Sequence, residues 1–161
     1  MINYIKGDIF KTNADIIVYP VSCKGETIYK EFKEQFPIAT KAYIRYCKDN
    51  KPEPGMIFRH LETTILGLDY KQLREVWFTN IRKTKKSKPT IYNRTEWRYE
   101  CLYSIFWKLY HIKKKGIINI PPIDCKDEES FELFKKQIEK ADKSFHLTED
   151  PNIIINVFNP F

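Results

Sequence analysis

Along the chain the spacing of apolar and polar positions switches repeatedly between two periods. Ile2-Asn3-Tyr4-Ile5 alternates, which predicts a strand, and Gly7-Asp8 supplies the turn that ends it. From Ala14 to Tyr19 the chain is nearly continuous in apolar and β-branched residues and meets Pro20, the pattern of a strand buried on both faces. Between Glu26 and Phe36 the period lengthens. Ile28, Tyr29, Phe32 and Phe36 share a helical face, and Pro37 stops that helix. A shorter helix is predicted over Ala39–Cys47, a turn at Pro52–Gly55, one or two strands over Met56–Leu66 and a strand over Val76–Asn80. Pro89 is placed to start a long helix running to about Lys115. Cys101, Leu102, Ile105, Phe106, Leu109 and Ile112 form its apolar stripe, and Gly116 follows its end. Ile117–Ile120 reads as a strand closed by Pro121-Pro122. Glu128 to Lys143 reads as a helix with acids first and lysines later, matching its dipole, and Ile153–Phe158 is the closing strand. Strands alternating with helices predict an α/β fold, a mixed β-sheet between helical layers. No repeat, linker or low-complexity stretch interrupts the pattern, so residues 1–161 read as one domain.

Composition narrows the classes. Hydrophobic residues are 42% and aromatics 15%, too many for a disordered chain. No apolar run approaches the ~20 residues of a membrane helix. The first residues lack a basic segment followed by an apolar one, so a cytoplasmic location without membrane partners is expected. Cys23, Cys47, Cys101 and Cys125 are widely spaced with no CxxC pair, and His60, His111 and His146 are scattered, so neither a metal site nor a cofactor is predicted. The 28 basic residues against 21 acidic ones leave a net charge of +7, which favours an anionic partner. The sequence is silent on oligomeric state.

The order of short motifs resembles that of a macrodomain. Tyr4-Ile5-Lys6-Gly7-Asp8-Ile9-Phe10 is followed by Ala14-Asp15-Ile16-Ile17-Val18 and by Pro20-Val21-Ser22-Cys23. Then come Phe32-Lys33-Glu34-Gln35-Phe36-Pro37, Lys51-Pro52-Glu53-Pro54-Gly55, Ser87-Lys88-Pro89-Thr90 and Ile120-Pro121-Pro122-Ile123. No single piece is specific; the ordered set, which spans nearly the whole chain, is. The subtype it most resembles contains terminal ADP-ribose protein glycohydrolase and the antitoxin that removes ADP-ribose from DNA. The resemblance implies a three-layer α/β/α macrodomain that takes ADP-ribose or a related nucleotide, free or on an ADP-ribosylated macromolecule. By the family pattern Asp8 accepts from the adenine amino group, the backbone of Ile9 donates to the ring, and Phe158 lies against the adenine face. A first ligand loop then runs through Ser22, Cys23 and Gly25, and a second through Pro122, Ile123, Asp124, Cys125 and Lys126. Without the name, Asp8 reads as a turn cap and Phe158 as core.

The loops depart from the family. A glycine-rich loop lets backbone N–H groups approach a diphosphate without a Cβ in the way. Here only Gly25 remains in the first loop, and the second carries acids instead of glycines. A carboxylate within ~4 Å of a phosphate costs about 4 kcal/mol at an effective dielectric of ~20, although Asp127, Glu128 and Glu129 also suit the first turn of a helix. The subtype's glycohydrolase chemistry uses a lysine and an acid. The acid falls on Asp127 or Glu128. Ungapped alignment from Lys88-Pro89-Thr90 puts Arg82 or Lys83 at the lysine position, and a Thr-Lys-Lys match puts Lys85 there; arginine stays protonated and cannot serve. The expectation is therefore ADP-ribose binding with weak or absent ADP-ribosyl glycohydrolase activity. The alternative is a degenerate macrodomain that binds nucleic acid or a protein partner through its basic surface: the Arg82–Lys88 loop, the Lys113-Lys114-Lys115 run, and Trp97, Tyr99, Tyr103 and Trp107. Helix packing explains those aromatics equally well.

Overall fold

A computed structural model describes residues 1–9, 13–22, 24–25, 28–53, 55–65, 71–82 and 94–161, with the backbone alone at 63–65, 71–73, 80–82 and 94–97. The elements run β1 (Ile2–Ile5), β2 (Ile16–Ser22), α1 (Lys30–Gln35), α2 (Pro37–Asn50), β3 (Ile57–Ile65), β4 (Lys71–Arg82), α3 (Arg94–His111), β5 (Gly116–Ile120), α4 (Glu128–Phe145), a 3-10 turn at Leu147–Glu149, and β6 (Ile153–Phe158). One six-stranded sheet has the order β1-β6-β5-β2-β4-β3. The pairs β1/β6, β6/β5, β5/β2 and β2/β4 are parallel, and β3 returns antiparallel to β4 with Ile57 opposite Thr79. The expected mixed sheet is present.

Alternation across β2 explains its unbroken apolar run. Ile16 and Val18 pack with Trp77, Ile118, Ile120, Ile155 and Val157 beneath α3 and α4. Ile17, Tyr19 and Val21 pack with Val76 and Phe78 against Phe32, Phe36, Ala39 and Tyr43 of α1 and α2. The three layers are thus α1/α2, sheet, α3/α4. The predicted stripe of α3 is buried from Cys101 to Leu109, with Ile112 packed at its margin.

Several boundaries move, each for an identifiable reason. Pro20 lies inside β2, opposite Thr79, instead of ending it. The first helix is only Lys30–Gln35. Tyr29 precedes it with its ring exposed, its N–H donating to the Tyr19 hydroxyl at 3.0 Å. Pro37 opens α2 at its first position as well as following α1, and the helix runs on to Asn50. The Glu62 carboxylate, reaching over from β3, accepts from the backbone N–H groups of Ile38 and Ala39 at 3.0 and 2.9 Å. That distant cap satisfies donors for which α2 has no local side chain.

The long helix ends at His111, not Lys115. Lys113 takes the left-handed conformation (φ 53°); its N–H bonds the Tyr110 carbonyl and that of Lys114 bonds Leu109, the two bonds of a Schellman motif with lysine where glycine is usual. Gly116 instead opens β5 at φ 115°, where a Cβ would collide with the Asp15 carboxylate that accepts from Ile117 N–H at 2.8 Å. The predicted helix start at Pro89 lies outside the described residues. No helix among the described residues is long and apolar enough to cross a membrane.

Candidate functional site

Because β1, β2, β4, β5 and β6 are parallel, their carboxyl ends share one edge of the sheet. In open α/β sheets, ligands bind beyond that edge. The loop 6–9, the turn at 22–25, the end of β4 at Arg82, residues 121–127 and the end of β6 at Phe158 all emerge there. Topology therefore brings Asp8, Ile9, Ser22, Gly25, Pro122, Ile123, Asp124, Cys125, Lys126, Asp127 and Phe158 to one side. Cys23, Lys83 and Lys85 lie outside the described residues.

At one end of this edge Ile5 pairs with Phe158, and Asn159 N–H donates to the Ile5 carbonyl at 2.8 Å. Phe158 is buried yet is not a member of either core cluster. Asp8 is exposed and Ile9 half-buried beside it. The loop is anchored by a feature that sequence reasoning missed. Asn3, Asn156 and Asn119 stand in register across β1, β6 and β5. Asn3 donates to Asn156 and Asn156 to Asn119, each at 3.1 Å, and Asn119 donates to the Ile9 carbonyl at 3.4 Å. A polar residue within an apolar run was the signal available. Only the register shows that the three form a row.

The first loop folds back tightly. Gly25 N–H donates to the carbonyl of buried Ser22 at 3.0 Å, and the Tyr43 hydroxyl donates to that same oxygen at 2.7 Å. Gly25 has φ 70°, and its missing Cβ faces Ile44 and Tyr43 at ordinary contact distance. Its glycine is thus demanded by backbone conformation.

In the second loop Ile123 is buried, Asp124 is left-handed (φ 55°) and Lys126 is exposed. Asp127 caps α4: its carboxylate accepts from Ser130 N–H at 2.8 Å, and the Ser130 hydroxyl accepts from Asp127 N–H at 3.1 Å. Glu128 and Glu129 occupy the exposed first turn. Beneath the loop lies a second missed residue, the buried Arg98 of α3. It donates to Gln137 at 2.7 Å and to the Cys125 sulfur at 3.8 Å. Burial pushes the Cys125 thiol up to about 11 although Arg98 opposes the shift, so this cysteine is a neutral packing group. The guanidinium also supplies positive charge on the side of the loop where Asp124 and Asp127 supply negative. Among the described residues no group of three histidine, cysteine or acidic side chains is arranged to hold a metal ion.

Solved structures share this architecture. The macrodomain of Thermus aquaticus DarG matches at a TM-score of 0.75 and 20% identity, covering 99% of each chain. Thermosipho africanus DarTG, solved with ADP-ribose, matches at 0.70 and 16% over 99% of this chain and 42% of its own. A Trypanosoma brucei macrodomain, also solved with ADP-ribose, matches at 0.62 and 13% over 98% of this chain and 63% of its own. The fold is that of a macrodomain. No family model matches the sequence, and no curated protein matches it by sequence. The chain keeps the layered sheet of that fold, with glycine-poor loops at the edge where its strands end.

Proposed function

We propose that the carboxyl edge of the sheet binds ADP-ribose or a related nucleotide and that release of ADP-ribose from a modified macromolecule is weak or absent. The observation that carries the binding half is the Gly7-Asp8-Ile9 loop, held by the asparagine row next to Phe158 at the edge where five parallel strands end. Two neighbours of the same fold were solved with ADP-ribose. Asp8 accepts from the adenine amino group, Ile9 N–H donates to the ring, and Phe158 contributes the apolar face. The turn at Gly25 and residues 122–126 face the diphosphate, and Lys126 with Arg98 beneath the loop offsets part of the charge of the acids that open α4.

Two features of the second loop work against glycosidic cleavage. Asp127 is committed to the cap of α4, and Asp124, Cys125 and Lys126 carry side chains where close backbone approach is needed. Glycosidic cleavage requires the reacting carbon about 3 Å from its nucleophile, and small misplacements cost on the order of 100-fold in rate. Calorimetric titration with ADP-ribose tests binding, with Asp8→Ala as the variant. A time course of ADP-ribose release from modified protein or DNA tests catalysis, with Lys83→Ala, Lys85→Ala and Asp127→Asn alongside. Asparagine keeps the cap and removes the acid. Little release by the parent is expected. Robust turnover abolished by one of these substitutions overturns the catalytic half and leaves the binding half standing.

A further inference from the structure

A second concave site lies away from the ligand edge, between α3 and the outer strand β3. It is a cleft of about 390 Å³ lined by Gly55, Ile57, Tyr103, Ser104, Trp107 and Lys108. None of the candidate ADP-ribose residues lines it. Tyr103/Trp107 and Ser104/Lys108 are both i, i+4 pairs, so α3 presents an aromatic ridge beside a polar one. Trp107 is 49% exposed, and Tyr103, packed on one side against Phe145 at 4.9 Å, is still 38% exposed. Trp107 is held from behind by His111, with ring centroids 4.2 Å apart. Lys108 donates to the Ile57 carbonyl at 3.4 Å, leaving further ammonium protons for a ligand. Burial and nearby Arg59 hold the Lys108 ammonium below the usual lysine value, a cost that an anion at this position relieves. Glu75, the acid whose charge reaches Lys108, is itself paired with Arg59 and Lys114, and no acid is among the lining residues.

We propose that this cleft takes one nucleotide of a single-stranded nucleic acid, its base against Trp107 and Tyr103 and its phosphate at Lys108. Its volume falls within the range of small-ligand pockets. Two exposed rings beside one ammonium supply the stacking and the phosphate contact by which unpaired bases are held irrespective of sequence. The net charge of +7 supplies the long-range attraction. A duplex keeps its bases stacked on one another and offers none to the rings. The inference stands apart from the ADP-ribose reading.

The test is fluorescence anisotropy of a labelled oligothymidylate with the full chain, from low to physiological salt. Trp107→Ala is expected to weaken binding about tenfold, and Lys108→Gln to reduce the log–log salt slope by about 0.7. Tyr29→Ala, which removes an exposed ring in front of α1, leaves binding unchanged. Circular dichroism confirms folding, and ADP-ribose titration of Trp107→Ala, unchanged from the parent, separates the two sites. Absence of strand binding at low salt overturns the proposal. So does equal affinity of Trp107→Ala and parent, or a duplex that binds as tightly as the strand with the same dependence on Trp107.

Discussion

At the scale of single residues, polar groups inside the molecule decide most. Glu75 is buried on β4; burial by itself would raise its pKa, but Arg59, Lys114 at 3.1 Å and the Trp77 indole at 2.9 Å together lower it below the ordinary carboxylate value. A depressed folded-state pKa adds stability that is present above the unfolded pKa of about 4.3 and lost as pH falls through the folded value. Denaturant titrations across the acid range should therefore show the parent losing more stability than Glu75→Gln below about pH 4. At neutral pH the variant should be less stable by about 1–3 kcal/mol. Asn119 gives a second case. Asn119→Ala removes the bonds to the Ile9 carbonyl and from the Asn156 amide, at a cost of about 1–3 kcal/mol in unfolding free energy. In calorimetry it should also weaken ADP-ribose binding, since the Asp8–Ile9 loop loses its anchor. Asp8→Ala should weaken that binding about tenfold or more in the same titration.

Among the elements, the ends of helices are the informative parts. The left-handed position after α3 is held by Lys113, whose Cβ makes that conformation costly. Lys113→Gly should raise stability by up to about 1 kcal/mol in denaturant unfolding. Asp127 is the opposite case. Asp127→Ala breaks both bonds of a capping box and should cost about 1 kcal/mol, whereas Asp127→Asn should cost little. The pair separates the cap from any proton-transfer role, since only a lost acid would make both variants equally inactive.

For the whole molecule, the edge at which the strands end couples ligand to stability. ADP-ribose at about 100 times its dissociation constant should add about 2.7 kcal/mol. For a chain of this size that is a rise of roughly 5–10 °C in melting temperature. A thermal scan with and without nucleotide reads it directly, and a flat response would count against the binding reading. The cleft beside α3 lies outside that coupling, so Trp107→Ala should leave the ADP-ribose shift intact.

What the amino-acid order determined was whatever depends on neighbours along the chain. β1 and β6 lie where alternation and β-branching put them, and the stripe of α3 and the start of α4 follow from helical period and charge order. The motifs that resemble a macrodomain were readable because each is a short local segment in a fixed order. Tertiary structure alone decided what depends on residues distant in sequence. Glu62 caps α2 from another strand, three asparagines from three strands form one row, Arg98 reaches the second loop from α3, and Gly55 meets Trp107 across a cleft. In each case the polar or apolar partner is supplied by sheet register or by layer packing. Neither is encoded in the spacing of any one segment; both appear only when the hydrophobic faces of separate elements are buried against each other.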